Sequence, residues 1–204
     1  MAQLDFERPL RSFRCEAMWL CEEFSIASQS PYDVGAQFAA EMITIRLHDA
    51  WARFCRELVI ISAYGNVTTM GGQRLTPSMP SITSRAKVME ALDSTRTRAQ
   101  RRNEPKWYSA RECIEAAQNL RIQNFANVSA ALGAVNSPAS SLRAVRNFYA
   151  HRKKNTAIDA VNAANFTGVH KPQVFHLNSF VTGGTTILES WTQEFIAIAT
   201  AASQ

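Results

Sequence analysis

At 204 residues and 22.7 kDa, with 46% apolar and 19% charged residues, the chain can bury a sizeable core and is expected to form one domain. No run approaches the about 18 uncharged apolar residues of a membrane span. The N-terminus, M-A-Q-L-D-F-E-R-P-L, carries acids and no apolar h-region, so neither a membrane helix nor a signal peptide is expected and the cytoplasm follows.

The first predicted element is a helix over about residues 5–28, because Phe6, Leu10, Phe13, Ala17, Leu20, Phe24 and Ala27 step alternately by four and three. Ser30-Pro31 reads as a cap and restart for a second, longer helix running to about Ala63. It carries two apolar rows: Val34, Phe38, Met42 and Ile45, then Ile43, Leu47, Trp51, Phe54, Leu58 and Ile61. Two rows imply burial against two neighbours, as in a bundle. His48, Asp49, Arg53, Arg56 and Glu57 fall between the rows. A buried one among them is a candidate support for a site, although i,i+4 surface pairs such as Asp49–Arg53 account for such residues more simply.

Tyr64–Pro80 reads as a long loop of turn residues. Its Gly71-Gly72 lacks a preceding strand and a following K-[ST], so it is not a phosphate loop. A third helix is expected from Ser81 to Arg102, with Ile82, Ala86, Met89, Leu92 and Ala99 inward and a basic end at Arg96, Arg98, Arg101 and Arg102. Trp107 and Tyr108 suit core anchoring better than base stacking. Ser109 with Glu112 forms a capping box for a helix reaching about Asn136, and Ser137-Pro138 opens the next. That helix is expected to stop near Asn155, because Thr156 with Asp159 is a further capping signal. Residues 165–183 read as an extended connection, and a Thr186/Glu189 capping box opens a C-terminal helix over 184–203. No period-2 strand of useful length is present. The expected class is all-α, an antiparallel bundle of long amphipathic helices in a single domain over 1–204.

The net charge of +5 is unevenly spread: residues 71–154 carry fifteen Lys or Arg against five acids, whereas residues 1–70 carry six Arg against nine acids. Such asymmetry points to a polyanionic partner, nucleic acid first; a solvated basic helix face is the alternative. Cys15, Cys21, Cys55 and Cys113 form no C-x-x-C pair and do not cluster with histidines, so no metal or other cofactor is expected. Cys15, Cys21 and Cys113 read as small buried apolar side chains.

The basic stretch ends in Leu142–Asn155, L-R-A-V-R-N-F-Y-A-H-R-K-K-N, which sets an R-N-x-x-x-H pattern on one short helix. On a helix His151 lies over Asn147, and Arg143 and Lys154 extend the same stripe. Arg146 is about 140° away from His151, so one copy makes an awkward site and two copies about a two-fold axis make a common cleft. The chemistry suits phosphodiester cleavage. Histidine has the ordinary pKa nearest neutrality and can exchange protons with a ribose 2′-hydroxyl or a leaving oxygen. Arginine offers a planar fork to phosphate oxygens, and asparagine orients either group without competing for the proton. With the 2′-hydroxyl as nucleophile no metal is needed.

R-N-F-Y-A-H-R, late in an all-α chain of this size, resembles the R-x4-6-H signature of the HEPN superfamily, in which a polar residue follows the Arg and Ala often precedes the His. The resemblance implies a helical bundle that dimerises to form one cleft from two motifs. It also implies metal-independent endoribonuclease activity, and roles in toxin–antitoxin, abortive-infection and antiviral defence systems. Carried over by position, Arg146 and His151 are catalytic and Asn147 supports them. Arg143, Arg152, Lys153 and Lys154, with Arg101 and Arg102 upstream, are the expected RNA contacts. Implied partners are RNA, a second copy and a regulatory protein such as an antitoxin, without a membrane. Where nucleotidyltransferase-regulated toxins have a modifiable Tyr two residues after the His, this chain has Lys153. The other readings are a catalytically silent HEPN-like module that holds RNA or dimerises, a DNA-binding helical protein, and a solvated helix end with His151 as its terminal charge.

Overall fold

The computed structural model describes residues 4–30, 33–97, 104–134, 137–163, 181–182 and 185–204. The class is all-α. In chain order the elements are β1 (Leu4–Asp5), α1 (Glu7–Ser28), α2 (Val34–Tyr64), β2 (Val67–Thr68), β3 (Arg74–Leu75), α3 (Arg85–Thr95), α4 (Ala110–Asn119), α5 (Phe125–Leu132), α6 (Ala139–His151), α7 (Lys154–Ala163), β4 (Val181–Thr182), β5 (Thr185–Thr186) and α8 (Ile187–Ala202). Expectations for Pro31, Ala99, Arg98, Arg101, Arg102 and most of 165–183 fall outside the described residues. No helix among the described residues is long and apolar enough to cross a membrane.

Contacts divide the chain into two compact units. One comprises 1–13, 51–137 and 197–204; the other comprises 14–50 and 138–196. In the first, Phe13, Trp51 and Phe54 form an aromatic cluster with centroids 5.3 to 5.8 Å apart. In the same unit Phe6, Leu10, Leu58, Leu120 and Val128 are buried. The loop after α2 is a small hairpin, contrary to the strandless reading. β2 pairs antiparallel with β3 and parallel with β1. Two-residue strands are too short to show a period-2 pattern, but Val67 and Leu75 are buried. Gly65 (φ 68°) is required at its entrance, because a Cβ there would lie 2.1 Å from the Thr76 carbonyl carbon.

Two expected helices are corrected in this unit. α3 is capped by Ser84, whose hydroxyl accepts from the Lys87 N–H at 3.3 Å, and it ends at Thr95. There the Ser94 and Thr95 hydroxyls donate to the carbonyls of Ala91 and Leu92 at 2.7 Å, satisfying acceptors that a longer helix would have used. Its inward positions are Val88 and Leu92, not Ala86 and Met89. The single helix expected over 109–136 is broken into α4 and α5 by Arg121, at φ 54°. Leu120 and Ile122 are both buried, which two positions about 200° apart on one helix cannot share with a single core face. Trp107 is a core anchor whose indole N–H donates to Glu104 at 3.0 Å.

In the second unit the α1 seam continues through Ala17, Leu20 and Phe24 into a core with Leu47, Leu142, Val145, Leu188 and Phe195. Cys21 donates to Thr192 at 3.1 Å, whereas Cys15, off the seam, is exposed rather than buried. α2 starts at Val34, where Asp33 caps the Ala36 N–H at 2.8 Å; the start falls beyond Ser30-Pro31 because the Asp33 carboxylate satisfies the opening turn. Of its two apolar rows only the one through Leu47 is buried. Val34 is 79% exposed, Phe38 63% and Met42 39%.

Trp51→Ala is expected to destabilise the protein by about 3–5 kcal/mol through lost burial and cavity formation. Urea denaturation measures it, and an unchanged midpoint would remove the aromatic cluster from its assigned place in the core.

Candidate nucleic-acid site

α6 has two faces. Leu142, Val145, Phe148 and Tyr149 are buried, and Arg143, Ala150 and His151 are exposed. Burial pushes the Tyr149 phenol far above its ordinary pKa, so it serves packing rather than proton transfer. The helix opens at Ala139 with Pro138 at its cap position, where a missing N–H costs nothing. It closes at His151, four residues before the expected stop, because Arg152 turns left-handed at φ 51° and its N–H bonds the Phe148 carbonyl at 2.8 Å. α7 then begins at Lys154, two residues ahead of the expected Thr156 cap: Thr156 lies in its first turn and reaches back, its hydroxyl accepting from the Lys153 N–H at 3.1 Å and donating to the Lys153 carbonyl at 2.8 Å.

Each expected site residue has a definite place. Arg146 and Asn147 are half-buried, and the Arg146 Nη1 donates to the Asn147 Oδ1 at 3.5 Å. The Arg146 Nε is buried without a hydrogen-bond partner among the described residues. His151 occupies the last helical position with its side chain in solvent, beside the exposed Lys153 and Lys154. Arg152, expected among the RNA contacts, has another commitment: it pairs with Glu41 on α2, and its guanidinium lies 5.3 Å from the Phe148 ring and 5.7 Å from the Tyr149 ring. That ion pair ties the end of α6 to α2.

A histidine on α2 enters the same region. His48 is only 6% exposed, and its Nδ1 lies 3.2 Å from the Asp49 carboxylate. Burial holds its pKa below the ordinary value. Asp49 opposes that by hydrogen bond and charge, and the positive Arg146 and Arg143 of α6 reinforce it. The sequence signal was one of several polar residues between the apolar rows of α2. Periodicity could not separate it from a surface ion pair, because the partners lie about a hundred residues on.

The unit containing α3 and α4 has a cleft of about 480 Å³ lined by Arg96, Glu104, Lys106, Arg111, Glu112 and Glu115. Its charges are mutually compensated, with Arg56–Glu104 at 3.4 Å and Lys106–Glu112 at 4.0 Å, so it offers no concentrated charge.

The His48 environment fixes the sign of a pH effect. A histidine less basic in the folded chain than in the unfolded one lets stability persist above the ordinary histidine pKa; it is lost as pH falls through that value toward the folded one. Between about pH 7 and about pH 5.5 the wild-type urea midpoint should therefore fall further than that of His48→Gln. Parallel pH dependence in the two proteins would contradict the assignment. No protein-family model, curated protein or solved structure matches this chain, so the site is interpreted from its own residues.

Proposed function

We propose that the chain is a metal-independent endoribonuclease of HEPN type, acting as a homodimer in which two α6 helices line one cleft. The observation that carries this reading is the joining of Arg146 and Asn147 on α6, five and four residues before an exposed His151 at the end of a basic stretch. A ribose 2′-oxygen attacks the adjacent phosphorus and the 5′-oxygen leaves. One His151 takes the 2′-hydroxyl proton and the His151 of the second copy returns a proton to the leaving oxygen. Arg146, steadied by Asn147, stabilises the charge on the phosphoryl oxygens. Arg143, Lys153 and Lys154 supply exposed positive charge for the flanking phosphates. A role as a toxin or antiviral effector, with a protein regulator, rests on the family resemblance alone.

The exposed row Val34, Phe38 and Met42 supports the second copy. It lies on the helix that Arg152 ties to α6. Asp33 stands at one end of this face, and at the other Arg46 pairs with Glu16 at 3.6 Å and lies over the Trp19 ring. Apolar side chains at the centre with charges at the ends are the arrangement of a protein interface.

The purified protein should cut single-stranded RNA in EDTA, leaving 2′,3′-cyclic phosphate ends. His151→Ala and Arg146→Ala should each slow the reaction by about 10²–10⁴-fold. Cleavage untouched by both substitutions would remove the site, and RNA binding without cleavage would favour the silent module. Phe38→Glu should convert a dimer into a 22.7 kDa monomer by light scattering and lower cleavage with it. A wild-type monomer at micromolar concentration would contradict the shared cleft.

A further inference from the structure

We propose that Glu41 is a positioning residue of this site: through its ion pair with Arg152 it pins the end of α6 and so fixes where His151 is presented. This rests on the reading that His151 acts in the site, and adds a component from α2, 111 residues before Arg152 in the sequence.

The need for a clamp follows from where His151 sits. It is the last residue of α6, and its side chain is in solvent. The final carbonyls of a helix have no partner within it, and such ends open locally at little cost. An acid–base group displaced by about 1 Å can lose about 10²-fold in rate, so a frayed end is a poor place for one. The next residue adds strain. Arg152 is left-handed at φ 51°, a conformation that a non-glycine residue keeps only when its contacts hold it there.

Arg152 has such contacts. Its N–H bonds the Phe148 carbonyl at 2.8 Å, its guanidinium lies over the Phe148 and Tyr149 rings, and its Nη2 donates to the Glu41 Oε1. The two rings belong to α6 itself. The acid comes from another helix, which makes the contact a tie and not a local cap. The Glu41 side chain is 18% exposed, and Arg152 is the cation recorded on it among the described residues. A carboxylate so far withdrawn from water needs its partner, and a planar guanidinium serves an oxygen and two rings together as an ammonium cannot. The pairing also cancels the charge. Arg152 then brings no net attraction to a phosphate, whereas the exposed Lys153 and Lys154 do.

Three measurements on the intact protein test this, the first independent of catalysis. Glu41→Ala, which keeps the helix, should speed hydrogen exchange of the Arg152 amide about threefold or more because the turn loses its tie. Unchanged exchange would overturn the clamp. In RNA cleavage, Glu41→Ala and Arg152→Gly should each lower kcat by about tenfold with little change in KM, and Glu41→Gln, which keeps an acceptor, should restore part of the loss. Glu41→Ala and Arg152→Gly combined should be no slower than either alone; effects that add would overturn the coupling. In RNA binding, Glu41→Gln combined with Arg152→Gln should keep the wild-type salt slope, whereas Lys153→Gln should reduce it by about 0.7. A slope that falls with the paired substitution would make Arg152 an RNA contact and overturn its assignment. If the wild type leaves RNA intact, the ribonuclease reading fails and the positioning role with it, while the exchange measurement still decides the clamp.

Discussion

Arg152 is the residue on which the candidate site depends. A non-glycine residue in the left-handed region costs about 1–2 kcal/mol, and something must offset it. Here the offset has three parts: an N–H bonded to the Phe148 carbonyl, a guanidinium over the Phe148 and Tyr149 rings, and an ion pair with Glu41. Together they end α6 at His151 and turn the chain into α7. The same contacts tie α6 to the helix that carries His48. A glycine at 152 would make the turn with less strain but would leave the end of α6 without its anchor.

This anchoring separates two kinds of positive charge that look alike in the sequence. Arg152 and Lys153 are adjacent members of one basic run. Arg152, Lys153 and Lys154 are all exposed, but Arg152 pairs with an acid and lies over two rings. The difference is one of direction, set by the left-handed turn. A charge count over residues 71–154 marks the region as a partner for a polyanion, but cannot say which guanidinium is available to one. Upstream, Arg56 likewise pairs with Glu104, and Arg85 with Glu57.

The apolar row of α2 has the opposite character. Its periodicity matches that of a core helix, and the second row of the same helix is core. Val34, Phe38 and Met42 instead stand in solvent, on the helix whose Glu41 pairs with Arg152. Contiguous exposed side chains of this kind mark interaction surfaces in soluble proteins more often than isolated ones do. For the proposed nuclease the row has a second consequence. An Arg146 offset about 140° from its histidine would gain from a neighbour that brings a second pair, which is the role proposed for this row.

The sequence by itself determined the helical class, the seam of α1, the buried row of α2, the Thr186 cap of α8 and the two faces of α6, because spacing and capping are local properties of the chain. It also singled out Arg146, Asn147 and His151 as candidate site residues. Tertiary structure alone decided the break at Arg121, the short β2–β3 hairpin and the exposure of the Val34 row, each of which depends on what packs from elsewhere. It likewise decided the capture of Arg152 and the burial of His48. Glu41 and Arg152 are 111 residues apart, and no periodicity reaches across that distance. A side chain's partner on another helix is set by helix register, and register is a property of the packed molecule.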